Sequence, residues 1–196
     1  MVLLLVNFQV KGKQNIPRKG PYLIVSNHLS YADPPFIGLS FGKRLTFFAK
    51  EELFRNWFIG RLFFHLGAIE VHRGHSNRDA LRQAEKVLKK GKILAIFPEG
   101  SRSKDLNLQS GFPGAALIAF HNDVPIVPVA VQGTQKVLRL DCLWRRPRVI
   151  LTVGENFGLP ATDHILDKQQ LGGYTDLIMQ RIAALLPENR RGKYGS

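Results

Sequence analysis

One cysteine, Cys142, stands in 196 residues. That excludes an intrachain disulfide and any multi-cysteine zinc or iron–sulfur centre, and it agrees with a reducing cytoplasm. Acidic residues are scarce too: 15 Asp and Glu face 28 Lys and Arg, a formal charge of +13. Such a surplus suits nucleic acid, an anionic membrane surface, an acidic protein or a phosphorylated substrate, without choosing among them. Long hydrophobic runs are missing. The opening "MVLLLVNFQV" is apolar only from Val2 to Val6, too short for a secretory signal and far below the roughly 20 residues of a membrane-crossing helix. A chain of this kind is expected to meet a membrane peripherally, by lying on it. There is also no internal repeat, no low-complexity tract and no G-x-S-x-G turn to present a nucleophilic serine.

What is present suffices for a core. With 44% hydrophobic residues, residues 1–196 read as a single domain, and residues 189–196 as a solvated tail. Short apolar and alternating runs predict strands at Asn7–Lys11, Tyr22–Ser26, Thr46–Ala49, Ala68–Val71, Ile93–Phe97, Ile126–Val131 and Val149–Val153. Helical spacing is clearest from Asn77 to Gly91, where Ala80, Leu81, Ala84, Val87 and Leu88 share a face and Gly91 supplies the stop. Further helices fit Gly114–Asn122 and Leu171–Leu186. Strands alternating with helices imply an α/β fold, a largely parallel mixed sheet flanked by helices.

The stretch "NHLSYAD", Asn27 to Asp33, follows the apolar Ile24 and Val25, and so falls at the carboxyl end of a strand, where open α/β sheets form their ligand crevices. Asp33 before Pro34 is a good helix start, since aspartate caps free amides and proline suits the first turn. That reading accounts for Asp33 and leaves "NH" unexplained. In the other reading Asp33 holds the His28 ring in one tautomer and stabilises its protonated form, so that His28 is a general base. On the pattern alone both stay open. A base without a protein nucleophile points to a hydroxyl on the substrate, hence to acyl transfer to an alcohol.

Three more segments bear on the choice. "ILAIFPEGSRS", Ile93 to Ser103, ends a buried-type strand in Glu99, Gly100, Ser101 and Arg102; the glycine permits close backbone approach and the arginine fork suits phosphate. "GAIEVHRG", Gly67 to Gly74, ends another strand with Arg73, a second phosphate candidate, while "VPIVPVAVQG", Val124 to Gly133, is mainly a buried strand.

Together and in this order, "NHLSYAD", "GAIEVHR", "FPEGSRS" and "VPIVPV" resemble the glycerolipid acyltransferase family typified by 1-acyl-sn-glycerol-3-phosphate acyltransferases, with the motif-bearing region spanning about residues 9–133. The resemblance implies that His28 is the general base and Asp33 its partner. It implies that Arg73, Glu99, Gly100, Ser101 and Arg102 hold the acceptor. Ser101 stands where threonine is usual, and Phe112 where many relatives carry lysine. The implied reaction moves a fatty acyl group from acyl-CoA or acyl carrier protein to the free hydroxyl of a lysophospholipid, 1-acyl-glycerol 3-phosphate, giving phosphatidic acid. It needs no cofactor and no metal, and "HRGH", His72 to His75, lacks a third ligand.

Six of the thirteen phenylalanines fall between Thr46 and Gly67, and Leu53, Phe54, Trp57, Phe58 and Leu62 recur at helical spacing. Such a stripe serves a core more often than a membrane face, yet beside the basic balance it favours an anionic surface on the cytoplasmic side of a membrane. Two alternatives remain: another acceptor, such as glycerol 3-phosphate, another lysophospholipid or a lyso-aminolipid; or a basic nucleic-acid or acidic-partner binding module. The second rests only on charge and the clusters "KVLKKGK" and "RRPR", so no nucleic-acid partner is expected.

Overall fold

The computed structural model describes residues 6–50, 61, 68–71, 77–137, 146–160 and 166–195. Among these residues seven strands form one sheet: β1 (Asn7–Lys11), β2 (Tyr22–Ser26), β3 (Leu45–Lys50), β4 (Ala68–Val71), β5 (Ile93–Ile96), β6 (Ile126–Gln132) and β7 (Arg148–Val153), in the order β1-β7-β6-β2-β5-β3-β4. All neighbouring pairs are parallel except β6 with β7. The expected largely parallel mixed sheet is therefore present.

β2 lies at the centre and all five of its residues are buried. Its alternation sorts two cores. Tyr22 and Ile24 face a cluster that contains Ile37 and Phe41 of helix α1 (Asp33–Phe41). Leu23 and Val25 face the opposite cluster, built with α2 (Asn77–Lys89), α3 (Gly114–Asn122) and α4 (Lys168–Ala183). Burying an aliphatic side chain of this size contributes about 1.5–3 kcal/mol, which is why a strand covered on both faces reads as an unbroken apolar run. α2 ends as its pattern predicts: Gly91 has φ 69°, Gly91 N–H donates to Leu88 C=O and Lys92 N–H to Val87 C=O, a Schellman closure.

The two faces separate the connections. The chain leaves β2 towards α1 on one face, and leaves the adjacent β5 towards α3 on the other. Adjacent loops that diverge in this way open a crevice at the carboxyl ends of the strands, and "NHLSYAD" and "FPEGSRS" are those loops.

Residues 189–195 are exposed or half-buried, as a solvated segment would be, and hydrogen bonds tie the segment to the domain. Leu108 N–H donates to Arg190 C=O at 2.9 Å, Arg190 Nη1 to Asp105 C=O at 3.2 Å, and Arg191 Nε to Leu186 C=O at 3.0 Å. Composition gives no sign of these bonds: the Arg190 carbonyl and guanidinium find partners in the loop after β5, and the Arg191 guanidinium finds one just past α4.

Gly133, at φ 85°, follows β6 so closely that a Cβ there would lie 2.0 Å from the Arg148 carbonyl oxygen. Gly133→Ala is expected to lower unfolding stability by at least about 2 kcal/mol, from left-handed strain plus forced displacement of the β7 start. The denaturation midpoint measures it.

Candidate active site

Asn27 prolongs the β2–β6 pairing with its side chain. Its Oδ1 accepts from Val131 N–H at 2.8 Å and its Nδ2 donates to Val131 C=O at 3.0 Å. An amide side chain thereby copies the two groups of a peptide and fixes where β2 stops. This answers the "N" of "NH", which apolar spacing could not.

The next residue is His28. Its Nδ1 lies 2.7 Å from Asp33 Oδ2, and the same oxygen accepts from Leu29 N–H at 2.6 Å and Ser30 N–H at 2.8 Å. The sequence reading of Asp33 as a forward cap is corrected here. Asp33 is inside the first turn of α1, Ala32 holds the cap position without a side-chain bond, and the carboxylate reaches back to the preceding loop. The helix start still favours a negative charge there. Asp33 is fully buried and the His28 side chain is 16% exposed. Two main-chain N–H groups already point at Oδ2, so this oxygen suits an Nδ1–H donor, and in the neutral ring of that tautomer the lone pair is on Nε2. The imidazole also stacks on Phe97, with centroids 4.0 Å apart and planes 18° from parallel.

The loop after β5 holds His28 by its backbone. Glu99 Oε1 accepts from His28 N–H at 2.7 Å, and Ser103 N–H donates to His28 C=O at 2.8 Å. Glu99 Oε2 accepts from Gln109 N–H at 2.8 Å. Glu99 is 3% exposed. Burial pushes its carboxyl up to about 7, against the downward pull of the two amides, with the charges of Asp33 and Asp105 adding to the rise. The family resemblance puts Glu99 among acceptor ligands; each of its oxygens accepts from a main-chain amide inside the protein.

The remaining sequence-predicted residues divide. Gly100 adopts φ 67°, and a Cβ there would lie 3.0 Å from the Phe112 ring; Ser101 and Arg102 are exposed at the rim. The Arg102 guanidinium lies over the Tyr31 ring, 3.8 Å from its centroid. Arg73 lies outside the described residues, as do His72, His75, Cys142, Trp57 and Phe58. Among the described residues no cluster of His, Cys, Asp and Glu could hold a metal. The sequence reading passed over Tyr31, Phe97 and Gln109, whose parts depend on contacts between loops; only the aromatic character of Tyr31 between His28 and Asp33 was a signal.

A family model described as Acyltransferase matches residues 7–132. The chain is 30% identical over 179 residues to a 1-acyl-sn-glycerol-3-phosphate acyltransferase of Bacillus subtilis, covering 90% of this chain and 87% of that one. It is 36% identical over 132 residues to a chloroplastic 1-acyl-sn-glycerol-3-phosphate acyltransferase of Arabidopsis thaliana, covering 66% of this chain but 37% of the relative. The crystal structure of the 1-acyl-sn-glycerophosphate acyltransferase PlsC of Thermotoga maritima superposes with a TM-score of 0.69 at 26% identity, covering 93% of this chain and 72% of that one.

Glu99 generates a pH prediction. Its folded-state value of about 7 lies above the ordinary 4.5, so between these values the folded chain keeps a proton that the unfolded chain has released. The associated stability is complete below about 4.5 and is lost as the pH rises through about 7. Glu99→Gln cannot titrate, and its amide N–H facing a main-chain N–H imposes a constant penalty. The stability of the native protein minus that of Glu99→Gln is expected to fall with rising pH across this window; a flat difference in urea titrations contradicts the assignment.

Proposed function

Since the chain belongs to the Acyltransferase family, and is an acyltransferase enzyme, we propose that it transfers a fatty acyl group from a thioester to the free hydroxyl of 1-acyl-glycerol 3-phosphate, giving phosphatidic acid for phospholipid synthesis. The observation that carries this reading is the 2.7 Å bond between His28 Nδ1 and Asp33 Oδ2 at the carboxyl end of the central strand. The relatives and the solved structure named above support the acceptor, since they are named as 1-acyl-glycerol-phosphate acyltransferases.

His28 is the general base. Its Nε2 takes the proton from the acceptor hydroxyl as that oxygen bonds to the thioester carbon. Asp33 stabilises the imidazolium so formed. The carbon–sulfur bond then breaks, and the departing thiolate of coenzyme A or acyl carrier protein recovers the proton from His28. All atoms are accounted for by donor, acceptor and one histidine, with no cofactor. Arg102, exposed at the rim on the loop that also grips His28, is the acceptor-phosphate ligand, supported by the forked geometry of guanidinium. Arg73, Gly100 and Ser101 also act on the acceptor in this reading, Gly100 through its turn. Glu99 acts on the acceptor only through the backbone of His28.

The protein works peripherally on the cytoplasmic face of an anionic membrane. This is supported by the +13 charge and the insoluble acceptor; no helix among the described residues is long and apolar enough to cross a bilayer.

Phosphatidic acid formation by the purified, folded protein tests the dyad. His28→Ala is expected to abolish it. Asp33→Asn, which keeps size but removes charge, should lower kcat by about 10²–10⁴-fold. Near-normal turnover by folded His28→Ala eliminates the general-base role. Arg102→Lys should keep more activity than Arg102→Ala, with the loss mainly in acceptor KM if ground and transition states are held alike.

A further inference from the structure

The chemistry described above leaves unused the partner of Arg102. Tyr31 is a large aromatic side chain left 40% exposed in the turn between His28 and Asp33. The guanidinium carbon of Arg102 lies 3.8 Å from its ring centroid, and Arg102 Nη2 donates to its hydroxyl at 3.2 Å. An arginine at a protein rim ordinarily samples many rotamers, at a cost of about 2 kcal/mol to whatever must order it. Here one face of the plane is covered by the ring and one N–H is taken by the hydroxyl, which orders the group before any ligand arrives.

The ring is itself well mounted. Ser30 Oγ accepts from Ala32 N–H at 3.2 Å, and Asp33 N–H donates to Ser30 C=O at 3.1 Å. The turn that carries Tyr31 is thus the one that brings Asp33 back to His28. A single tight turn sets the imidazole from one side and the guanidinium from the other.

We propose that Tyr31 is the positioning residue for Arg102, and that it determines how strongly the enzyme prefers an acceptor bearing a phosphate. The inference rests on Arg102 being the phosphate ligand. Guanidinium has five N–H donors; the one bonded to Tyr31 fixes the plane, and the others remain for phosphate oxygens. Stacking on an exposed ring and a hydrogen bond of this kind are each of a size that changes binding several-fold.

The test is a double-mutant cycle. Tyr31→Ala, Tyr31→Phe, Arg102→Ala and Tyr31→Ala with Arg102→Ala are assayed with 1-acyl-glycerol 3-phosphate and with 1-acyl-glycerol, which lacks the phosphate. Tyr31→Ala is expected to raise KM for the phosphate acceptor about 3–10-fold with little change in kcat. Tyr31→Phe keeps the ring but loses the hydroxyl bond, and should restore part of the loss. With 1-acyl-glycerol, or in the Arg102→Ala background, Tyr31→Ala should change nothing. An equal KM rise with both acceptors, or an undiminished rise without Arg102, overturns the proposal. If Arg102→Ala is phosphate-selective and Tyr31→Ala is not, this inference alone fails. If Arg102→Ala impairs both acceptors equally, the phosphate reading fails and takes this inference with it.

Discussion

A carboxylate inside the protein, between two main-chain amides, is the constraint on which the site depends. Glu99 is almost wholly buried, and its two oxygens accept from His28 N–H and Gln109 N–H, which offset part of the burial that raises its carboxyl to about 7. Withdrawing either loop leaves a buried carboxyl oxygen without its partner, a cost of about 1–3 kcal/mol. The coupling therefore runs in both directions: the loops supply the partners of Glu99, and Glu99 keeps the loops together. Ser103 N–H completes the grip by binding the His28 carbonyl, so the base is held by its own peptide groups and not only by its side chain.

Asp33 shows the complementary economy. One oxygen accepts from the imidazole and from two successive amides of the turn, so the same atom that orients the ring also shapes the loop carrying it. Geometry of the chain and chemistry of the base cannot vary independently at this position. The negative end of the pair also sits in the first turn of α1, where the helix dipole favours it. The basic surplus of the whole chain belongs to a different scale: it draws in anionic ligands over a Debye length and says nothing about this turn.

How much of this could be read from the letters follows the range of the forces. β2 and β4 are bounded as the apolar runs predict, and Gly91 stops α2, because burial on both sides of a strand and the conformational freedom of glycine leave local traces. The pairing of His28 with Asp33 was legible as one of two readings, since five residues suffice for a turn to close. Asp33 as a forward cap was not correct, because preference for helix starts does not reveal which amides a carboxylate faces. Glu99 was visible only as a polar loop residue; its partners stand 71 and 10 residues away, and no local period encodes such contacts. The hydrogen bonds that tie residues 189–195 down left no local trace for the same reason. Arg73, singled out on its motif, lies outside the described residues.

The position of β2 has a consequence for how the molecule breathes. Its residues are hydrogen-bonded into β6 on one side and β5 on the other, and are covered by helices on both faces. Amides so placed exchange with solvent only through large-scale opening, whereas edge strands and rim loops exchange through local fraying. The base is thus mounted on the slowest-exchanging part of the sheet, while Arg102 and Phe112, the latter 65% exposed, stand on its fast-exchanging margin. Opening at that margin leaves the hydrogen bonds of β2, and with them the histidine's seat, in place.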